Sequence, residues 1–237
     1  MVWSVTGRSA IVHRSLVVLT TVLFGVLLYW TFFRAPLEAV MGIVQKIFYL
    51  HVPAAIAMQM LYVASGVASI LVLWNGSKRA DAVAVGAAEI GVVMSVCVLL
   101  SGPLWARKAW GHYWEWEPRL TLTLVLTLLF MAYTALRAFG GSDALTRKIA
   151  AGIAIAGIPA IYLVRVSVEL WRGTHPRVVW TGGLVDPDMR IAFGVGIAAF
   201  VGLAGLLVWE RIRLELAARA LDELALDASA RYDLDDE

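Results

Sequence analysis

Residues 48–74 read FYLHVPAAIAMQMLYVASGVASILVLW, 27 consecutive positions without an Asp, Glu, Lys or Arg. Coiled as a helix at ~1.5 Å per residue, such a run outspans the ~30 Å hydrocarbon layer of a bilayer. Its apolar residues neither alternate nor form a narrow stripe, so the stretch belongs in lipid and among other helices. Five further runs are similarly apolar, one of them interrupted by Glu89: residues 15–33, 82–105, 120–136, 149–164 and 191–209. The whole chain of 237 residues is 60% hydrophobic and only 16% charged, a membrane composition. The fold expected is an all-α integral membrane protein with six transmembrane helices and an interfacial aromatic loop.

The first run follows Arg8 and Arg14, but its 19 residues carry no Ala-x-Ala site, which predicts a retained helix rather than a cleaved signal. The fifth run is short and is expected to continue past Arg165 and Glu169 to Trp171, because two charges four apart share one helix face and reach the interface together. Residues 1–209 then form one membrane domain. The tail, residues 210–237, sets Leu214, Leu221 and Leu224 among charges such as Glu215 and Arg219, and reads as a solvated helix fraying into the acidic end. Cys97 is the only cysteine, so no disulfide, C-x-x-C pair, covalent C-x-x-C-H haem site or cysteine-rich zinc site can form within the chain. A net charge of +2 without a basic stripe excludes a nucleic-acid role.

Six crossings put both termini on one side and sort the loops by parity. Residues 34–47, 106–119 and 172–190 share the face opposite the termini. Lys and Arg number 11 on the terminal face and 8 on the odd-loop face, with Arg165 completing the 20, too small a margin to orient the chain. Glu89 is the one carboxylate well inside a crossing; its cost in lipid, ~2.5–3.5 kcal/mol on insertion scales for comparable charges, predicts that it faces protein in a helix or partner contact.

Of four histidines, His13 lies on the terminal face with no evident partner, while His51, His112 and His175 all fall on the odd-loop face. Val52-Pro53 follows His51, a proline in the first turn of a rigid helix start, and His175 sits in the loop Gly173-Thr174-His175-Pro176. Two neutral imidazoles suit haem iron; they also suit zinc or copper, with His112 or Glu117 as a further ligand. Of ten tryptophans, seven belong to this face: Trp30, Trp105, Trp110, Trp114, Trp116, Trp171 and Trp180. An aromatic belt would occupy both interfaces. Read as a helix, the segment 110–116 puts Trp110 and Trp114 on one face and His112 and Trp116 on another, an apolar wall for a planar ligand. Lys46, Arg107, Lys108, Arg119, Arg172 and Arg177 supply cations that match the two carboxylates of haem, or serve as snorkelling anchors.

Residues 110–121, WGHYWEWEPRLT, resemble the tryptophan-rich WWD signature of haem-handling membrane proteins, and the ending Arg119-Leu120-Thr121 is similar to its CcmC branch. Residues 49–55, YLHVPAA, resemble the segment carrying that branch's first haem ligand, and His175 falls at the second. The likeness extends over residues 15–210. It implies haem b held non-covalently by the axial pair His51 and His175, with Trp110, Trp114, Trp116, Arg119 and Lys46 around it and His112 not a ligand. Tyr113 stands where tryptophan is common and Glu117 replaces the usual aspartate; both are assigned to partner contact. The resemblance further implies a bacterial inner-membrane protein with cytoplasmic termini and a periplasmic haem site, delivering haem to the chaperone CcmE beside the ATP-binding cassette pair CcmA and CcmB and the small subunit CcmD. No enzyme chemistry of its own is expected. The competing readings are a cytochrome c synthase-type WWD protein, a membrane b-type electron-transfer cytochrome, and a transporter with a midplane site.

Overall fold

The computed structural model describes residues 7–140, 143–176 and 182–235. Arg177 and Trp180 lie outside the described residues. Six helices carry the chain: α1 (Gly7–Tyr29), α2 (Phe48–Asn75), α3 (Lys78–Trp110), α4 (Pro118–Phe139), α5 (Ala144–Leu170) and α6 (Pro187–Asp235). All six are long and apolar enough to cross a membrane. The all-α membrane fold is therefore as expected, and α2 begins at the residue where its uncharged run begins. α5 runs on through Arg165 and Glu169 to a cap at Trp171.

The ends are set by local chemistry. Gly76 closes α2 in the left-handed conformation (φ 64°), and Ser77 opens α3 by accepting a hydrogen bond from the Ala80 amide at 3.2 Å. Gly111 (φ 86°) ends α3, and Glu117 caps α4 just before Pro118. Between those caps, residues 111–117 are extended and bent, so the helical reading of the aromatic segment does not hold. Gly111 stops α3 in the left-handed conformation and Glu117-Pro118 starts α4 afresh, so the segment between them continues neither helix.

α2 is the hub, packed on α3, α5 and α6, while α4 joins α5 and α3, and α1 lies on α6. At its centre Tyr62 stacks flat on Phe130 of α4, centroids 3.7 Å apart, and its hydroxyl meets Ser95 Oγ of α3 at 2.9 Å. Glycines admit this pair: a Cβ at Gly91 would stand 2.5 Å from the Tyr62 ring, and one at Gly157 would stand 2.5 Å from Phe130. Pro53 sits in the second turn of α2 rather than the first, so the Tyr49 carbonyl four residues earlier loses its helical donor. α6 passes close there, at Gly196, where an added Cβ would stand 2.9 Å from that oxygen.

The end of the bundle near the termini is tied by charge. Asp81 of α3, nearly fully buried, accepts from Arg137 of α4 at 2.9 Å and from Arg219 of α6 at 2.6 Å. Glu89 faces protein: its carboxylate takes two hydrogen bonds from Arg211 of α6, at 2.5 and 2.9 Å. The tail is thus helical through Asp235 and bound to the bundle along its first part. His13 is not alone, since its Nε2 lies 2.9 Å from Glu210 and its ring is edge-on to Trp209.

Candidate functional site

The opposite end, formed by the start of α2, the ends of α3 and α5 and the start of α4, encloses a cavity of about 590 Å³. That lies within the ~300–1,000 Å³ of small-molecule and cofactor sites. His51 and His175, 124 residues apart in sequence, both line it. One face of α2 supplies His51, Ala55 and Gln59, at helical spacing of four, and so extends the wall downward. Trp105, Trp110 and Trp114 supply aromatic surface, and Arg119 and Arg165 supply positive charge.

The His51 ring is oriented by Ser101, whose Oγ lies 2.9 Å from Nδ1. The single serine hydrogen goes to the Cys97 carbonyl at 2.6 Å, so Ser101 accepts from His51 and Nδ1 carries the proton. Nε2 is then the lone-pair nitrogen, the tautomer a metal ligand needs. Gly102 leaves room for the ring, since a Cβ there would stand 3.3 Å from Cε1.

Glu117 holds His175 in place. The Glu117 side chain is 5% exposed, accepts from the His175 backbone amide through Oε2 at 3.3 Å and from the Leu120 amide through Oε1 at 3.3 Å, and lies 4.0 Å through Oε1 from His175 Nδ1. Nδ1 is buried with no hydrogen-bond partner. Burial holds the His175 imidazole down to a pKa of about 3, with Arg119 and then His51 adding to the effect. Burial pushes the Glu117 carboxyl up, against the pull of the two amides and Arg119. A neutral His175 is what iron ligation requires.

Several expected site residues stand elsewhere. Lys46 does not line the cavity: the residue is 4% exposed, and its ammonium donates to the carbonyls of Thr31 and Ala35, closing the π-helical turn Trp30–Arg34 that ends α1. Unpaired carbonyls at a helix end attract a cation, and here they are its partners. Glu117, expected at a partner contact, is turned inward onto the His175 and Leu120 amides. Trp116, 74% exposed, meets Trp114 edge-on but does not line the cavity, and Tyr113 is exposed as well. His112 is half-exposed and 3.6 Å from Glu115, outside the cavity. Arg119 lines the cavity while donating to the Val164 and Arg165 carbonyls of α5 at 3.3 and 2.9 Å. Trp105, held by Gln45 through a 3.3 Å hydrogen bond, and Ser101 are site residues that the sequence reading did not assign to haem.

The donor set fits haem better than a bare metal ion. Among the described residues no three His, Cys, Asp or Glu side chains cluster as a metal site, whereas two imidazoles face a large apolar, aromatic space with cations beside it.

The family described as CcmC, Heme exporter protein C, matches residues 4–227. Curated relatives named Heme exporter protein C include that of Escherichia coli K12, 32% identical over 184 residues, covering 78% of this chain and 75% of the relative. That of Rhodobacter capsulatus is 32% identical over 204 residues, covering 83% of each chain. That of Bradyrhizobium diazoefficiens is 30% identical over 215 residues, covering 90% of this chain and 81% of the relative.

Proposed function

The chain belongs to the heme exporter protein C family, and from that premise we propose that it binds haem b non-covalently between His51 and His175 and delivers it to the haem chaperone CcmE in cytochrome c maturation. The site faces the periplasm, the termini lie in the cytoplasm, and the membrane is the bacterial inner membrane. CcmA, CcmB and CcmD are the expected companions, and the chain acts as a carrier rather than an enzyme.

The observation that carries this reading is the convergence of His51 and His175, from separate elements, on one cavity walled by Trp105, Trp110 and Trp114. Haem supplies an iron with two open axial positions and two carboxylates at one edge. His51 offers Nε2 because Ser101 fixes its tautomer, and His175 offers an imidazole that stays neutral across the physiological range. The tryptophan rings lining the cavity would offer the macrocycle an apolar wall and keep water from it. Arg119 and Arg165 meet carboxylate charge at the cavity wall.

The test is a reduced-minus-oxidised spectrum of the purified protein beside its His51→Ala, His175→Ala and His112→Ala variants. A b-type spectrum, haem released by acidified acetone, and loss of the six-coordinate form in the first two variants alone is the expected result. Haem that survives extraction, or a spectrum bleached by His112→Ala and untouched by His175→Ala, refutes it. Covalent haem on co-expressed CcmE reports delivery.

A further inference from the structure

The two histidines are backed by different chemistry. Behind His51 stands a hydroxyl, Ser101 Oγ, 2.9 Å from Nδ1 and already committed to the Cys97 carbonyl. Behind His175 stands a carboxylate. Glu117 Oε2 takes the His175 backbone N–H at 3.3 Å, and Oε1, 4.0 Å from Nδ1, is a charged acceptor beside a ring nitrogen that is buried and otherwise unpaired.

Other features press the carboxylate into this position. It caps α4 through the Leu120 amide, and Gly173 passes so close that a Cβ there would stand 2.5 Å from Oε2. The neighbouring carboxylate, Glu115, reaches Thr174 Oγ1 at 3.5 Å, so the aromatic loop and the His175 loop are joined on both sides of the histidine.

Resting on haem held between His51 and His175, we propose that Glu117 is a positioning residue that accepts the Nδ1 proton of His175 in a hydrogen bond and makes His175 the stronger axial donor, with serine-backed His51 the weaker. A ligating imidazole presents Nε2 to iron and keeps its proton on Nδ1. A carboxylate acceptor gives the ring partial imidazolate character and raises its basicity toward ferric iron; a hydroxyl that accepts only weakly does so less. His51 would then be the more readily released of the two ligands.

The test uses the full chain in detergent, loaded with haemin. In His51→Ala the remaining ligand is carboxylate-backed His175, and in His175→Ala it is serine-backed His51. Resonance Raman of the ferrous proteins should give a higher iron–imidazole stretching frequency in His51→Ala than in His175→Ala. Equal or reversed frequencies overturn the proposal, and this comparison leaves Glu117 itself untouched. Within the His51→Ala background, Glu117→Gln should lower the stretch and Glu117→Asp should restore part of it. In the otherwise wild-type chain, Glu117→Gln should favour the ferrous state about tenfold, which is about 59 mV for a one-electron couple. A Glu117→Gln protein that keeps its six-coordinate spectrum with a shift under twofold overturns the proposal. If neither histidine variant alters the spectrum, the haem site itself has been misassigned; if both alter it and the stretches are equal, only the role of Glu117 fails.

Discussion

Replacing Gly173 by alanine should loosen haem without altering either histidine. The added Cβ would stand 2.5 Å from Glu117 Oε2 and 3.5 Å from the Val168 Cα, and ordinary contact begins at 3.4 Å. The backbone at Val168 can stay where it is, but the carboxylate must retreat by about 0.9 Å, the difference between 3.4 and 2.5. Gly173 is not in the left-handed region, so the cost is steric. Oε2 is 3.3 Å from the His175 amide, and a retreat of that size takes it out of hydrogen-bond range. A hydrogen bond to a charged group contributes ~1.5–3 kcal/mol. If the loss falls on the haem-bound state, affinity drops by roughly 10- to 100-fold, at ~1.4 kcal/mol per decade. The assay is a Soret titration of the apoprotein with haemin, with the dissociation rate read by transfer to apomyoglobin. In a Glu117→Ala background the same substitution should cost nothing further, because the group it displaces is gone. Wild-type affinity in Gly173→Ala, or an undiminished cost in the Glu117→Ala background, refutes the reasoning.

Trp114→Ala should lower haem content, whereas Trp116→Ala should leave haem content intact and reduce covalent loading of CcmE; equal haem loss in both would return the two rings to one role. Asp81→Ala removes the partner of Arg137, two of whose nitrogens are already buried and unpaired, and should cost ~3–5 kcal/mol of stability, read as a lowered melting temperature in detergent and earlier proteolysis of the tail. A change under 1 kcal/mol, on the scale of exposed pairs, would show that the cluster is solvated. The His175 imidazole, ordinarily near 6.5 and held to about 3 in the fold, takes up a proton in the unfolded chain first. Stability of the apoprotein should therefore be full above pH 6.5, fall as pH drops from 6.5 toward 3, and level off below, and the slope should shrink in His175→Gln; an unchanged slope sinks that assignment.

Much of the architecture was legible because it depends on length and apolarity alone. The run from Phe48 and the continuation of α5 through Arg165 and Glu169 are local facts, and the bilayer supplies the rest of the argument. The convergence of His51 and His175 was legible by parity. What was not legible depends on distant partners. Lys46 looks like a surface cation until the carbonyls at the end of α1 are placed beside it, and His13 looks solitary until Glu210 returns from the far end of the chain. Trp105 and Ser101 sit in an uncharged run whose periodicity does not tell which side faces a cavity. The break at residues 111–117 was legible: Gly111 and Glu117-Pro118 are a stop and a start signal, outweighed in the reading by the spacing of the tryptophans.

α6 is one uninterrupted helix of 49 residues, about 74 Å at ~1.5 Å per residue, more than twice the ~30 Å hydrocarbon thickness. Its first residues are tethered where Asp188 takes hydrogen bonds from Trp30 at 3.1 Å and Arg34 at 3.3 Å, and its middle is clamped to Glu89 and Asp81. Held at these points, the helix is a single strut joining the two ends of the bundle. The exposed Leu221 and Leu224, on either side of the Lys78–Glu223 ion pair, therefore stand on the same helix as Asp188, thirteen residues along the chain from His175.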